Sequence, residues 1–156
     1  MTNATHTRAA HVFKLLVTGP YAAGKTSLIQ SVSHTPVVTT EVDTTGMEAV
    51  DKQLTTVAMD FGTYGLSGES GHGDVRLLLF GTPGQPRFRF MTDVMKGGVD
   101  AVVFVIDATA DGTHLDAGES MRALLTDLHV PVVVAVNRCD DDEAAQLLAR
   151  RLGALA

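Results

Sequence analysis

Cysteine is nearly absent: Cys139 stands alone among 156 residues, which excludes an intrachain disulfide framework and leads us to expect a reducing, cytoplasmic setting. No apolar run approaches the roughly 18 residues that a membrane-spanning helix needs. With 45% hydrophobic and 19% charged residues, the composition is nevertheless that of a globular chain rather than a disordered one. Basic residues are few, 12 against 18 acidic, for a formal charge of −6. Beyond Arg87 with Arg89, and Arg150 with Arg151, no Lys/Arg cluster stands out. A basic face for phosphate-backbone binding is therefore missing, and nucleic acid is not an expected partner. The histidines show no paired ligand spacing, which argues against a zinc site. Residues 1–11 are rich in Thr, Ala and His without an apolar signal core, and we expect a flexible tail there. Thr2 stands where N-myristoylation needs a glycine, and the final Arg-Leu-Gly-Ala-Leu-Ala holds no prenylation cysteine, so no intrinsic membrane anchor is expected.

Residues 12–156 read as one domain. Val12 to Thr18 is a short apolar run that stops at Gly19, as a buried strand feeding a glycine loop would. A helix is predicted from Lys25 to about Ser33. Residues 34–55 are polar and without helical period, which predicts a long functional loop. Thr56 to Thr63 alternates like a strand, Tyr64 to Asp74 is a glycine-rich connection, and Val75 to Phe80 reads as a second strand; together they suggest an antiparallel hairpin. Ala101 to Ile106 and Val132 to Val136 are continuous apolar runs of the kind that form parallel strands covered on both faces, with a helix predicted over about Leu115 to Leu128 between them. The expected order is β-α-β-β-α-β-α-β-α. This is an open, mostly parallel α/β sheet with helices on both faces and one antiparallel edge hairpin, its ligand groups gathered at the carboxyl ends of the strands.

Gly19-Pro-Tyr-Ala-Ala-Gly-Lys-Thr26 matches G-x-x-x-x-G-K-[ST] directly after an apolar strand and at the opening of a helix. Glycines let backbone amides wrap phosphate oxygens, and a helix N-terminus favours the anion. Lys25 would neutralise β/γ oxygens, and the Thr26 hydroxyl would ligate Mg²⁺. Tyr21, Ala22, Ala23, Gly24, Lys25, Thr26 and Ser27 are thus candidate nucleotide-binding residues. A phosphate loop alone does not separate ATP from GTP. Asn137-Arg138-Cys139-Asp140 does bear on the base, because it follows the strand at 132–136 and lies on the ligand side of the sheet. A carboxylate at Asp140 can accept from the guanine ring N–H and exocyclic amine, donors that adenine does not present in that geometry. Discrimination built on paired polar groups can reach about 10⁴.

In this order of motifs the chain resembles the Ras-like small GTPases, over Val12 to about Asp140. Its Phe80-Gly-Thr-Pro-Gly-Gln-Pro-Arg-Phe88 segment is most similar to prokaryotic small GTPases associated with roadblock-domain proteins and cell polarity. The resemblance implies a GTP/GDP-binding switch with slow hydrolysis, Mg²⁺ as cofactor, and a roadblock-type regulator or effector at the switch loops. It further implies that Thr56 is the switch I threonine that binds Mg²⁺ and senses the γ-phosphate, that Gly84 is the switch II glycine and that Gln85 is the catalytic, water-orienting glutamine. The Arg87-Phe-Arg-Phe-Met91 stretch suits either a partner surface or packing under a switch helix.

Three departures shape the expectations. Gly81 stands where relatives carry an aspartate that supports Mg²⁺ through water, so weak Mg²⁺ binding is expected, and Gly81→Asp is expected to tighten it. Asp60 is set aside as a substitute because four residues of strand separate it from Thr56 by about 13 Å; Asp107 is held open as either a neighbour of the phosphate loop or a cap for the next segment. Arg138 replaces a lysine, and its planar head on an aliphatic stem can still cover a base. The chain stops sixteen residues after Asp140, where relatives continue into a further strand with a guanine contact and a last helix. A shortened domain with an exposed sheet edge, open to oligomerisation or a partner, is the expectation. A non-hydrolysing guanine-nucleotide module remains the rival, and a P-loop kinase is a weaker one, since no arginine-bearing lid is evident.

Overall fold

Alternation along the central strands sends neighbouring side chains to opposite faces of one sheet. In β1 (His11–Thr18) Leu16 and Val17 are both buried, but in two different apolar clusters. Phe104 and Val105 of β5 (Ala101–Asp107) divide between the same two clusters. A strand that is apolar on both faces needs cover on both faces, and helices supply it. This computed structural model describes residues 10–43, 56–68, 73–84, 89–110, 113–126 and 128–155.

Six strands run in the order β2-β3-β4-β1-β5-β6. β1 is parallel to β4 (Val75–Gly81), with Leu16 opposite Phe80, and to β5, with Leu16 opposite Val102. β5 is parallel to β6 (Val132–Asn137), with Asp107 opposite Asn137. β3 (Thr56–Leu66) runs antiparallel to β4, and β2 (Val38–Asp43) antiparallel to β3. The open, mostly parallel sheet with one antiparallel edge is thus the expected class.

One cluster, built on Val17, Ile29, Leu79 and Val105, lies under α1 (Lys25–Val32). The other joins Leu16, Val102, Phe104 and Ile106 to Ala117, Met121 and Leu124 of α3 (Thr113–Leu125) and to Leu152 of α4 (Asp142–Leu155). The short α2 (Arg89–Met95) ends against β1, where the Lys14 ammonium donates to the carbonyls of Met95 at 3.0 Å and Gly97 at 2.8 Å. A cation there satisfies carbonyls that the helix leaves without partners. α4 starts immediately after residues 137–140 because the Asp141 carboxylate accepts from the amides of Glu143 and Ala144, at 2.9 and 3.1 Å, as a helix N-cap does. No described helix is long and apolar enough to cross a membrane.

One expectation fails locally. Part of the loop predicted over 34–55 is the edge strand β2, paired through Thr39 with Asp60. An edge strand with a polar sequence gains its backbone partners from β3, and no apolar alternation marks it in advance. Residues 44–55 lie outside the described residues, and β1 begins at His11 rather than Val12.

Candidate functional site

The carboxyl ends of β1, β4, β5 and β6 meet around the loop between β1 and α1. Gly19 has φ +139°, and a Cβ on it would stand 2.1 Å from the Val105 carbonyl oxygen of β5; Gly24 has φ +101°, and its Cβ would stand 2.2 Å from Asn137 Nδ2. Both conformation and space therefore demand glycine at the two positions where the motif has it. Gly24 is the N-cap of α1 and has no side chain to bond the amides of the first turn, which leaves an anion-attracting helix end facing the loop.

Inside this loop Lys25 is buried. Its ammonium donates to the carbonyls of Gly19 at 3.0 Å and Pro20 at 2.6 Å. Burial lowers its pKa from the ordinary lysine range to about 8, with the Asp60 carboxylate pulling the other way. Without nucleotide, the folded chain therefore releases this proton near pH 8 while the unfolded chain holds it to the normal lysine range. Across that window the folded state gains stability from this group as pH rises. Nucleotide phosphate restores the proton, so affinity should fall by up to about tenfold per pH unit above 8. Calorimetry at about pH 8.5 in buffers of differing ionisation enthalpy should register net proton uptake on nucleotide binding; uptake of zero would contradict this linkage.

The segment 137–140 is tied to the loop between β1 and α1. Asn137 Nδ2 donates to the Ala23 carbonyl at 3.0 Å, while its Oδ1 accepts from the Arg138 amide at 2.9 Å. Arg138 adopts φ +56°, and its guanidinium forms an ion pair with the Asp107 carboxylate. Asp107 also accepts from the Thr109 amide and hydroxyl, at 2.9 and 2.7 Å. Those Thr109 bonds and the Arg138 charge hold its carboxyl below the usual range. Asp107 thus shapes the turn after β5 and fastens Arg138, the capping alternative of the two. Asp140 is exposed just beyond. A cavity of about 310 Å³ runs along the side of α1, lined by Gly24, Ser27, Leu28 and Ser31 and, from β5 and β6, by Val105, Ala135, Val136 and Asn137, so that only its Gly24 and Asn137 end touches the loop.

The third wall is the end of β4. Thr82 is buried, its amide bonded to the Val17 carbonyl at 2.9 Å and its hydroxyl to that of Thr18 at 2.8 Å. This brings Gly84 so close to the phosphate loop that a Cβ on it would lie 2.5 Å from Lys25 Nζ and 2.7 Å from the Tyr21 Cα. Tyr21 and Ala22 are exposed and Ala23 is buried, and in the first turn of α1 Thr26 turns towards Asp60 of β3 while Ser27 lines the cavity beside β6. Gln85 lies outside the described residues, as does the side chain of Thr56, which begins β3 opposite Asp43.

Asp60 corrects the sequence analysis. It is 8% exposed, its Oδ2 accepts from the Thr26 hydroxyl, and its Oδ1 accepts from the Thr39 hydroxyl at 2.9 Å. Distance along β3 from Thr56 was the wrong measure, because Thr26 reaches Asp60 across the sheet from α1. Gly81 pairs directly with Asp60. A Cβ there would stand 2.8 Å from Ile29 Cδ1 and 3.1 Å from the Asp60 Cβ. Gly81→Asp would thus crowd a buried isoleucine and set two carboxylates side by side, so the tightening of Mg²⁺ expected from sequence does not follow. Neither Asp60 nor Thr39 was singled out by motif; the available signal was an acidic residue inside an otherwise apolar strand, which is rarely buried unless paired.

The family described as "Conserved hypothetical ATP binding protein" matches residues 37–152, a span that begins after the phosphate loop. An uncharacterized protein of Methanocaldococcus jannaschii is 29% identical over 127 residues, 81% of this chain and 70% of its own length. The Ras-related protein Rab-32C of Dictyostelium discoideum is 30% identical over 81% of this chain and 52% of its own length. The Ras-related protein Rab-7L1 of Homo sapiens is 31% identical over 83% of this chain and 61% of its own; the chain thus spans about half to two thirds of these two Ras-related proteins. With a family match over most of its length, the chain belongs to the family of conserved hypothetical ATP-binding proteins, and it is similar to Ras-related proteins over about four fifths of its own length.

Proposed function

We propose that this chain is a guanine-nucleotide-binding switch that hydrolyses GTP slowly. The observation that carries this reading is the bond from Asn137 Nδ2 to the Ala23 carbonyl, which holds the base-reading turn against the phosphate loop, with Asp140 at its open end. In that arrangement phosphate and base would be bound by one rigid unit. Lys25 would leave the carbonyls of Gly19 and Pro20 for the phosphate oxygens, the amides of the first turn of α1 would bind phosphate, and Arg138, fastened by Asp107, would lie beside the base.

The site fits a divalent cation held with the nucleotide. The Thr26 hydroxyl donates its proton to Asp60, which turns its oxygen lone pairs away from that carboxylate and leaves them open to a metal. Mg²⁺ bound there with the phosphates would neutralise charge on their oxygens. Gln85 would orient the attacking water, Thr56 would be the switch I hydroxyl, and Gly84, already against the loop, would report the γ-phosphate to the switch that follows. A roadblock-type protein is the partner class proposed for the ordered switch loops, on the resemblance of the segment 80–88.

Guanine selectivity tests the reading. Unlabelled GTP and GDP should displace a fluorescent guanine nucleotide at least about 100-fold better than ATP, the discrimination a site with paired polar groups delivers. Equal displacement by ATP would reassign the site to the adenine nucleotide that the family's description carries.

A further inference from the structure

The sheet places a buried carboxylate one strand away from where the motif pattern has one, and does so by design of the space. On β4, position 81 has no side chain, and the volume a side chain would take is filled by Ile29 Cδ1 and the Cβ of Asp60. On β3, Asp60 stands directly opposite Gly81 in the antiparallel register. Directly opposed residues project to the same face, about 4.5–5.5 Å apart between Cβ atoms. A carboxylate carried by β3 at this register therefore covers the same patch beneath α1 that a carboxylate carried by β4 would cover.

What Asp60 does there is specific. A buried carboxylate is costly unless each oxygen has a partner, and both have one: Thr26 on the helix after the phosphate loop and Thr39 on β2. Thr26 is the hydroxyl residue of the phosphate motif. By accepting its proton, Asp60 fixes the rotamer of Thr26 and leaves the oxygen lone pairs directed away from the carboxylate. An uncharged acceptor would do this more weakly, since a hydrogen bond to a carboxylate is about twice as strong as a neutral one.

We propose that Asp60 is the positioning carboxylate for a divalent cation bound with the nucleotide: it orients the Thr26 hydroxyl and supplies the negative charge that position 81 does not. The proposal rests on the nucleotide-binding reading above and adds to it a residue, on a strand that the motif does not include. It also accounts for the absence of a carboxylate at position 81, because two opposed carboxylates at one buried patch would repel, while Ile29 and Asp60 leave little room for any Cβ there.

The test is the Mg²⁺ dependence of nucleotide release, followed with fluorescent GDP and, alongside, fluorescent ADP. For the parent chain, added Mg²⁺ should slow release. In Asp60→Asn, which keeps the shape and removes the charge, the Mg²⁺ concentration for half of that slowing should rise about 10- to 100-fold. Release in excess EDTA should change by clearly less than release at the parent's Mg²⁺ midpoint, because Asp60 is proposed to act through the metal and otherwise reaches the nucleotide only through the charge of Lys25. An unchanged Mg²⁺ midpoint in Asp60→Asn would overturn the proposal. A faster release of equal size with and without metal would also overturn it, since that is what a merely structural role predicts. If the parent retains ADP and not GDP, the base assignment fails while the Asp60 proposal is decided by the same titration on ADP; if it retains neither, both fall. Should Asp60→Asn fail to fold, the unmodified chain still decides the matter. On adding Mg²⁺ to the nucleotide-bound protein, the Asp60 carboxyl carbon resonance should move while that of Asp74, at the other end of the sheet, does not. A stationary Asp60 resonance overturns the proposal.

Discussion

Lys25→Ala should weaken GDP and GTP binding by at least about 100-fold, the penalty of removing one member of a buried charge pair. The ammonium is enclosed by the loop it serves, bonded to the carbonyls of Gly19 and Pro20 and brought within 2.5 Å of where a Cβ on Gly84 would stand. Burial already lowers its pKa to about 8. The charged form is thus held at a cost in the empty chain, and phosphate relieves that cost. Equilibrium titration with fluorescent nucleotide would measure the change. An affinity within a few-fold of the parent would mean that the helix end and loop amides bind phosphate without it.

Gly24→Ala should damage both stability and nucleotide binding. Its φ of +101° is a conformation that alanine adopts only under strain, at a cost of about 1–3 kcal/mol. The new methyl would also press on Asn137 Nδ2 and push it from the Ala23 carbonyl. For a chain of this size we expect thermal unfolding roughly 2–4 °C lower per kcal/mol lost, together with weaker binding because the base-reading turn loses its tie to the phosphate loop. Unfolding at the parent temperature with unaltered affinity would show that Asn137 moves aside without consequence.

Much of this molecule was legible in the order of its residues. β5 is a continuous apolar run because a parallel strand covered on both faces leaves no room for polar alternation, whereas β6 carries the same pattern at the sheet edge, where Val133 is exposed; the bounds of β1, β5 and β6 fell within a residue of expectation. The loop after β1 could be read because its chemistry is local: eight consecutive residues, Gly19 to Thr26, supply the turn, the amides, the ammonium and the hydroxyl. Asn137 could be read because it ends a recognisable strand. β2 could not, since a polar edge strand owes its conformation to the neighbour it pairs with.

The sequence by itself determined the sheet class, the glycine loop between β1 and α1 and the end of the sheet at which residues 137–140 lie, all consequences of short-range pattern. Only the tertiary structure decided which carboxylate serves that loop. Gly81 looked like a loss and Asp60 like a bystander when both were judged along the chain. Antiparallel pairing sets them face to face under α1, so that one side chain fills the space of two and its oxygens meet hydroxyls from residues 34 and 21 positions away. The same holds for Asp107, which lies opposite Asn137 across two parallel strands and meets the guanidinium of the next residue, Arg138. Pairings between distant strands depend on register, and register is fixed by how the whole sheet packs rather than by any short stretch of residues.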